Sequence, residues 1–126
     1  MVLNGTTNVL LSTHTRGHDP EAVQLVHDCL RQAERQLMRN AVASASLHRT
    51  DLSQQTRRLT QPTLIITGND HHGYTPDQAQ ATAQLLQHGH AAVIPDAAYL
   101  VPLEVPQAVA DLVSTFWTTQ ATAAAT

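Results

Sequence analysis

Pro62-Thr63-Leu64-Ile65-Ile66-Thr67-Gly68 is the stretch that decides how the chain folds. It is a short, unbroken apolar run, rich in β-branched residues and closed by a glycine. Such a run suits a strand covered on both faces, as in a parallel sheet, better than a half-exposed strand with strict alternation. A polar loop follows from Asn69 to Tyr74, and then Thr75-Pro76-Asp77-Gln78. That tetrapeptide predicts a helix start, with Thr75 as the cap and Pro76 at the first helical position. Gln78, three residues after the cap, completes a capping box. Ala79, Ala83 and Leu86 share one side of the helix, His88-Gly89 stops it, and Ala91 to Pro95 reads as a second buried strand. A loop with Pro102 and Pro106 leads into a last helix bearing Val109, Leu112, Val113 and Phe116. Strand, helix, strand, helix at this spacing predicts an α/β fold with parallel strands joined by a helical crossover.

Upstream of Pro62 the rhythm is helical. Asp19-Pro20-Glu21 combines an Asp cap, a proline at the first position and an acid in the first turn. Val23, Val26, Leu30, Ala33, Leu37 and Ala41 then recur at helical spacing, predicting one helix from Pro20 to about Arg39. Cys29, beside Leu30, is expected to lie buried as a small apolar residue. Asp51 is expected to cap a shorter helix ending near Leu59. Val9-Leu10-Leu11 fits a strand or a helical turn equally well. Phe116 and Trp117 are expected in the core or an interface, and residues 120–126 as a frayed tail.

Composition narrows the function classes. The chain has 126 residues, 42% of them hydrophobic and 13% charged, with a net charge of −3. That suits one soluble domain. All seven basic residues are Arg, so neither lysine Schiff-base chemistry nor a P-loop lysine is available. Without a basic patch, nucleic acid is not an expected partner, and no apolar stretch is long enough for a membrane span. One cysteine and no signal-peptide pattern point to a reducing, cytoplasmic setting.

The residues after Gln61 are similar to the C-terminal end of an α/β-hydrolase. The similarity rests on 62–70, on Thr75-Pro76, and on Ile94-Pro95-Asp96-Ala97-Ala98-Tyr99-Leu100-Val101-Pro102-Leu103-Glu104-Val105-Pro106. In that family the first strand delivers the acid of the catalytic triad. The second strand and its loop deliver the histidine, ahead of a Glu-x-Pro and the terminal helix. Asp51-Leu52, eleven residues before Pro62, fits the family's approach from the cap. The resemblance thus implies a partial α/β-hydrolase-like fold, with a cap-like helical region over 1–60 and a half-domain over 61–119. Asp70 is the best match to the acid, although the family's usual place, three residues after the glycine, holds His71. Tyr99 fills the histidine position, and a phenol does not exchange protons near neutral pH as imidazole does. Glu104 matches the family's glutamate, with a structural role of holding the loop and helix start. No Gly-x-Ser-x-Gly occurs among these 126 residues, so an unaided serine-hydrolase mechanism is not expected of them.

Eight histidines, His14, His18, His27, His48, His71, His72, His88 and His90, raise the question of a metal. His14 and His18 are four apart, but in a stretch expected to be a loop, and no companion cysteines accompany them. No metal and no cofactor are therefore expected. Ser44 and Ser46 read as helix-end hydroxyls rather than nucleophiles. Asp70 either shapes its turn or faces a ligand at the carboxyl ends of the strands, where α/β sheets bind them.

Three functions remain. One is a non-hydrolytic small-molecule-binding or accessory protein. Another is a cyclase, isomerase or epoxide-opening enzyme using Asp70, His71, His72 and Tyr99. The last is one piece of a split hydrolase. Two buried-type strands leave sheet edges open, so a second copy or a complementing half-domain is the expected partner.

Overall fold

The computed structural model describes residues 2–48 and 50–124. Among the described residues, five α-helices precede the first strand: α1 (Val2–Leu10), α2 (Thr13–His18), α3 (Pro20–Gln32), α4 (Arg35–Val42) and α5 (Ser53–Thr56). A π-helical turn over Ala43–Leu47 extends α4. Then come β1 (Thr63–Gly68), α6 (Pro76–Leu85), β2 (Gly89–Ile94), α7 (Val101–Glu104) and α8 (Pro106–Ala124).

The two strands pair in parallel, from Thr63 opposite Gly89 to Gly68 opposite Ile94. They are the whole sheet among the described residues. The expected α/β order with parallel strands is therefore present. β2 begins two residues earlier than Ala91, because the Thr63 amide donates to the carbonyl of His88 (2.9 Å) and draws Gly89 into register. Gly89 must be glycine: a Cβ there would collide with the Ala83 carbonyl at the end of α6. The capping box forms in full. Thr75 Oγ1 accepts from the Gln78 amide and Gln78 Oε1 accepts from the Thr75 amide.

Ile94, Ala97 and Val101 form the buried centre, with Ile66, Val105, Ala108, Val109 and Leu112 packed against it. Ala79 and Ala83 bury the inner face of α6. At the amino end, Leu11 is buried between α1 and α2, and Ala22 and Val26 are buried on α3.

Several expectations need correction. The helix from Pro20 does not reach Arg39, because Ala33 and Glu34 are extended (ψ 123° and 131°) and separate α3 from α4. No glycine or proline marks the break. What changes there is packing: α3 buries Ala22 and Val26, whereas every residue from Arg31 to Val42 is exposed. Cys29 is also exposed: it lies one turn beyond Val26 on the same helix face, where the packing of α3 has run out. Val9 and Leu10 are helical at the end of α1, Leu11 lies just beyond it, and α5 ends at Thr56, short of Leu59. His14 and His18 lie on a helix, not in a loop. Trp117 is 68% exposed, which excludes the core of its two expected places. Helix α8 runs to Ala124, beyond Gln120, and residues 125–126 lie outside the described part.

Candidate functional site

The loops leaving the carboxyl ends of β1 and β2 are laced together by their backbones. The Asn69 amide donates to the Ile94 carbonyl (2.8 Å) and the Asp70 amide to the Ala97 carbonyl (2.9 Å). Gly68 allows this approach: a Cβ there would overlap the carbonyls of Ala97 and Ala98. Thr67, fully buried, sends its hydroxyl to the Tyr74 carbonyl (3.0 Å) and holds the other end of the first loop. The second loop turns at Asp96, whose φ of 56° lies in the left-handed region that aspartate tolerates better than most residues.

This lacing brings His71 and Tyr99 together, with ring centroids 4.8 Å apart. His71 is half-buried and rigidly held. Its Nδ1 accepts from the amides of Gly73 (3.1 Å) and Tyr74 (2.9 Å). Because Nδ1 is an acceptor, the ring proton resides on Nε2, and the imidazole presents an N–H donor. Tyr99 is 54% exposed, and no hydrogen bond engages its hydroxyl among the described residues. Asp70 is half-buried one residue from His71, its carboxylate likewise without a hydrogen-bonding partner there. His72 is exposed. The chemistry on offer is a fixed N–H donor, a phenol and, one residue along the same loop from His71, a carboxylate.

Glu104 lies behind this edge rather than on it. Its Oε1 accepts from the Ala98 amide (2.8 Å), and its Oε2 from the Ser12 amide (2.7 Å) and the Thr15 hydroxyl (2.9 Å). Ser12 Oγ adds a bond to the Asp96 carbonyl (2.7 Å). One carboxylate thus ties the start of α2 to the loop that carries Tyr99. Ser12 and Thr15 escaped the sequence reading. Their only signal was the spacing of a serine cap three residues before a threonine, here realised as a bond from the Thr15 amide to Ser12 Oγ.

Ser44 bonds back to the carbonyls of Asn40 and Ala41, as a hydroxyl at a helix end does; the Ser46 side chain lies outside the described part. Among the described residues no three His, Cys, Asp or Glu side chains are grouped to hold a metal. No described helix is long and apolar enough to cross a membrane.

No protein-family profile matches the sequence, and no characterised protein matches it at the sequence level. Solved structures do match. A thermophilic esterase from Thermogutta terrifontis superposes with a TM-score of 0.81 at 24% identity, over 94% of this chain and 43% of its own. A hydrolase from Pseudomonas aeruginosa PA01 gives 0.74 at 22% identity, over 92% and 43%. An α/β hydrolase from a Medee basin deep-sea metagenome library gives 0.71 at 20%, over 90% and 42%. The chain has part of the α/β-hydrolase fold. It spans less than half the length of these hydrolases, and at such identities the likeness concerns the fold alone.

Proposed function

We propose that this hydrolase-like chain is a non-hydrolytic binding or accessory protein that takes a small molecule at the strand-end site and works as an oligomer. The observation that carries this reading is the state of His71. With Nδ1 occupied by two backbone amides, the ring has no free lone pair for removing a proton from a nucleophile. It serves as a fixed donor instead. Beside it, the Tyr99 hydroxyl can donate or accept, so the pair suits a ligand with a carbonyl or carboxylate oxygen. The reducing cytoplasm is the matching compartment for an exposed, unpaired Cys29.

Assay against short-chain p-nitrophenyl esters tests the non-hydrolytic part. We expect turnover no faster than a His71→Ala, Tyr99→Phe double variant; ester hydrolysis that falls in that variant overturns it. A second copy completing the two-stranded sheet is the preferred partner, because both strands have one unpaired edge. Light scattering should give twice the chain mass, and a stable, well-folded monomer would remove the oligomer from this reading. A complementing half-domain is the other way to cover the sheet.

One observation favours catalysis of a non-hydrolytic kind: the unengaged, half-buried carboxylate of Asp70, one residue from His71 on a loop whose backbone is bonded to the loop carrying Tyr99. A cyclase, isomerase or epoxide-opening enzyme would use Asp70 with Tyr99 as its acid–base pair. In that case Asp70→Asn abolishes turnover with the fold intact, and unchanged turnover excludes it.

A further inference from the structure

We infer that His14 and His18 form a two-imidazole site for a divalent late transition ion, with Cu2+ held most tightly. The two residues are four apart on α2 and share one helix face. Their rings already lie together, with centroids 4.4 Å apart and planes 18° from parallel. His18 Nδ1 lies 2.9 Å from the His14 carbonyl oxygen and donates to it. The remaining lone pair of His18 is therefore on Nε2, directed away from the backbone. Proteins prepare metal-binding imidazoles in this way, one ring nitrogen tied to a carbonyl and the other left for the metal. No hydrogen bond engages the His14 ring among the described residues. Both side chains are exposed, so rotation of the His14 ring about its own torsions brings one of its nitrogens onto an ion held at His18 Nε2, while His18 keeps its bond to the His14 carbonyl.

The backbone beneath them is fixed. Ser12 caps α2, and Thr15, buried on the adjacent face of the helix, bonds to Glu104. The neighbouring charges are engaged elsewhere. Arg16 is bonded to the Ser12 carbonyl, to Asn8 and to Thr13, and Asp19 caps α3 through the Ala22 amide. With two protein ligands, the rest of the coordination sphere falls to water, which makes the ion exchangeable rather than structural. Nitrogen donors of this kind follow the usual order of divalent affinities, in which Cu2+ exceeds Zn2+ and Ni2+.

Calorimetric titration of the whole chain with copper(II) chloride and with zinc chloride tests the site, with electron paramagnetic resonance on the copper sample. One Cu2+ per chain should bind, more tightly than Zn2+, with nitrogen hyperfine structure from imidazole. His14→Ala and His18→Ala should each weaken copper about 100-fold, the scale on which a second tethered ligand contributes. His88→Ala should leave it unchanged. Because both histidines are exposed, circular dichroism of the variants should match the unaltered chain. Equal copper affinity in the His14→Ala, His18→Ala double variant, or no stoichiometric binding by the unaltered chain, would overturn the proposal.

Discussion

Helices α8 and α4 both carry apolar side chains at helical spacing, yet only α8 has something to lay them against. Val109 and Leu112 of α8 pack on Ile94, Ala97 and Val101, while every residue of α4, Leu37 and Met38 included, is exposed. Apolar periodicity reports that a helix has an apolar face; it says nothing about whether that face is covered. Burying a leucine contributes about 1.5–3 kcal/mol, and an uncovered helix of two turns is marginal in water. The packed region should therefore respond sharply to substitution, and the α4 region should not, unless something outside the chain covers it.

The largest effect is expected at Gly68, where the two strand-end loops meet. Gly68→Ala forces a methyl against the Ala97 and Ala98 carbonyls and should cost about 3 kcal/mol or more, read from the urea midpoint. Gly5→Ala is its counterpart in α1, with nothing within 4 Å of the added carbon. There the helix should gain about 0.5–1 kcal/mol. Similar losses at both glycines would mean that the packing of the strand ends has been misjudged.

Glu104→Ala comes next. It leaves the amides of Ser12 and Ala98 and the Thr15 hydroxyl without their acceptor, and should cost about 2–3 kcal/mol. Hydrogen exchange should rise at α2 and in the loop around Tyr99 together, because one carboxylate serves both. Exchange that rises in only one of them would show that the link between the two is not carried by Glu104.

These two positions also show how far the sequence could be read. The apolar run 62–68, the capping box at Thr75 and the parallel order were legible because each depends on neighbours within a few residues. The separation of α3 from α4 was not, since Ala33-Glu34 contains no local breaker and the extended geometry arises where packing stops. The exposure of Cys29 follows from the same cause. At the candidate site, the types of Asp70, His71 and Tyr99 were visible, but the tautomer of His71 depends on two backbone amides that only the folded loop supplies. The role of Ser12 and Thr15 was hidden by distance, because their partner lies about 90 residues away.

A smaller effect is expected on α4. Leu37→Gln and Met38→Gln should each change the stability of the isolated chain by less than about 0.5 kcal/mol, since both side chains already meet solvent. The same variants measured across a concentration series sharpen the comparison. If the second copy proposed above covers α4, stability becomes concentration-dependent and the substitutions weaken association rather than folding. A loss of several kcal/mol at all concentrations would instead mean that α4 is packed within the chain.

The smallest effect lies at Asp51, ahead of α5. Its carboxylate accepts from the hydroxyl and the amide of Ser53, and these bonds favour the charged form and lower its pKa below the ordinary aspartate value. A depressed folded-state pKa means that the contribution is complete above the unfolded value of about 3.9 and is lost as pH falls through the folded one. The side chain is fully solvated, so the consequence is local: α5 should loosen in acid while the β1–β2 core keeps its structure. The Ser53 amide proton, followed by NMR through an acid titration, should report a midpoint below that of a solvated aspartate, and Asp51→Asn should remove the titration. A midpoint at the ordinary value would show that Ser53 does not hold the carboxylate, and that α5, like α4, lacks a local anchor.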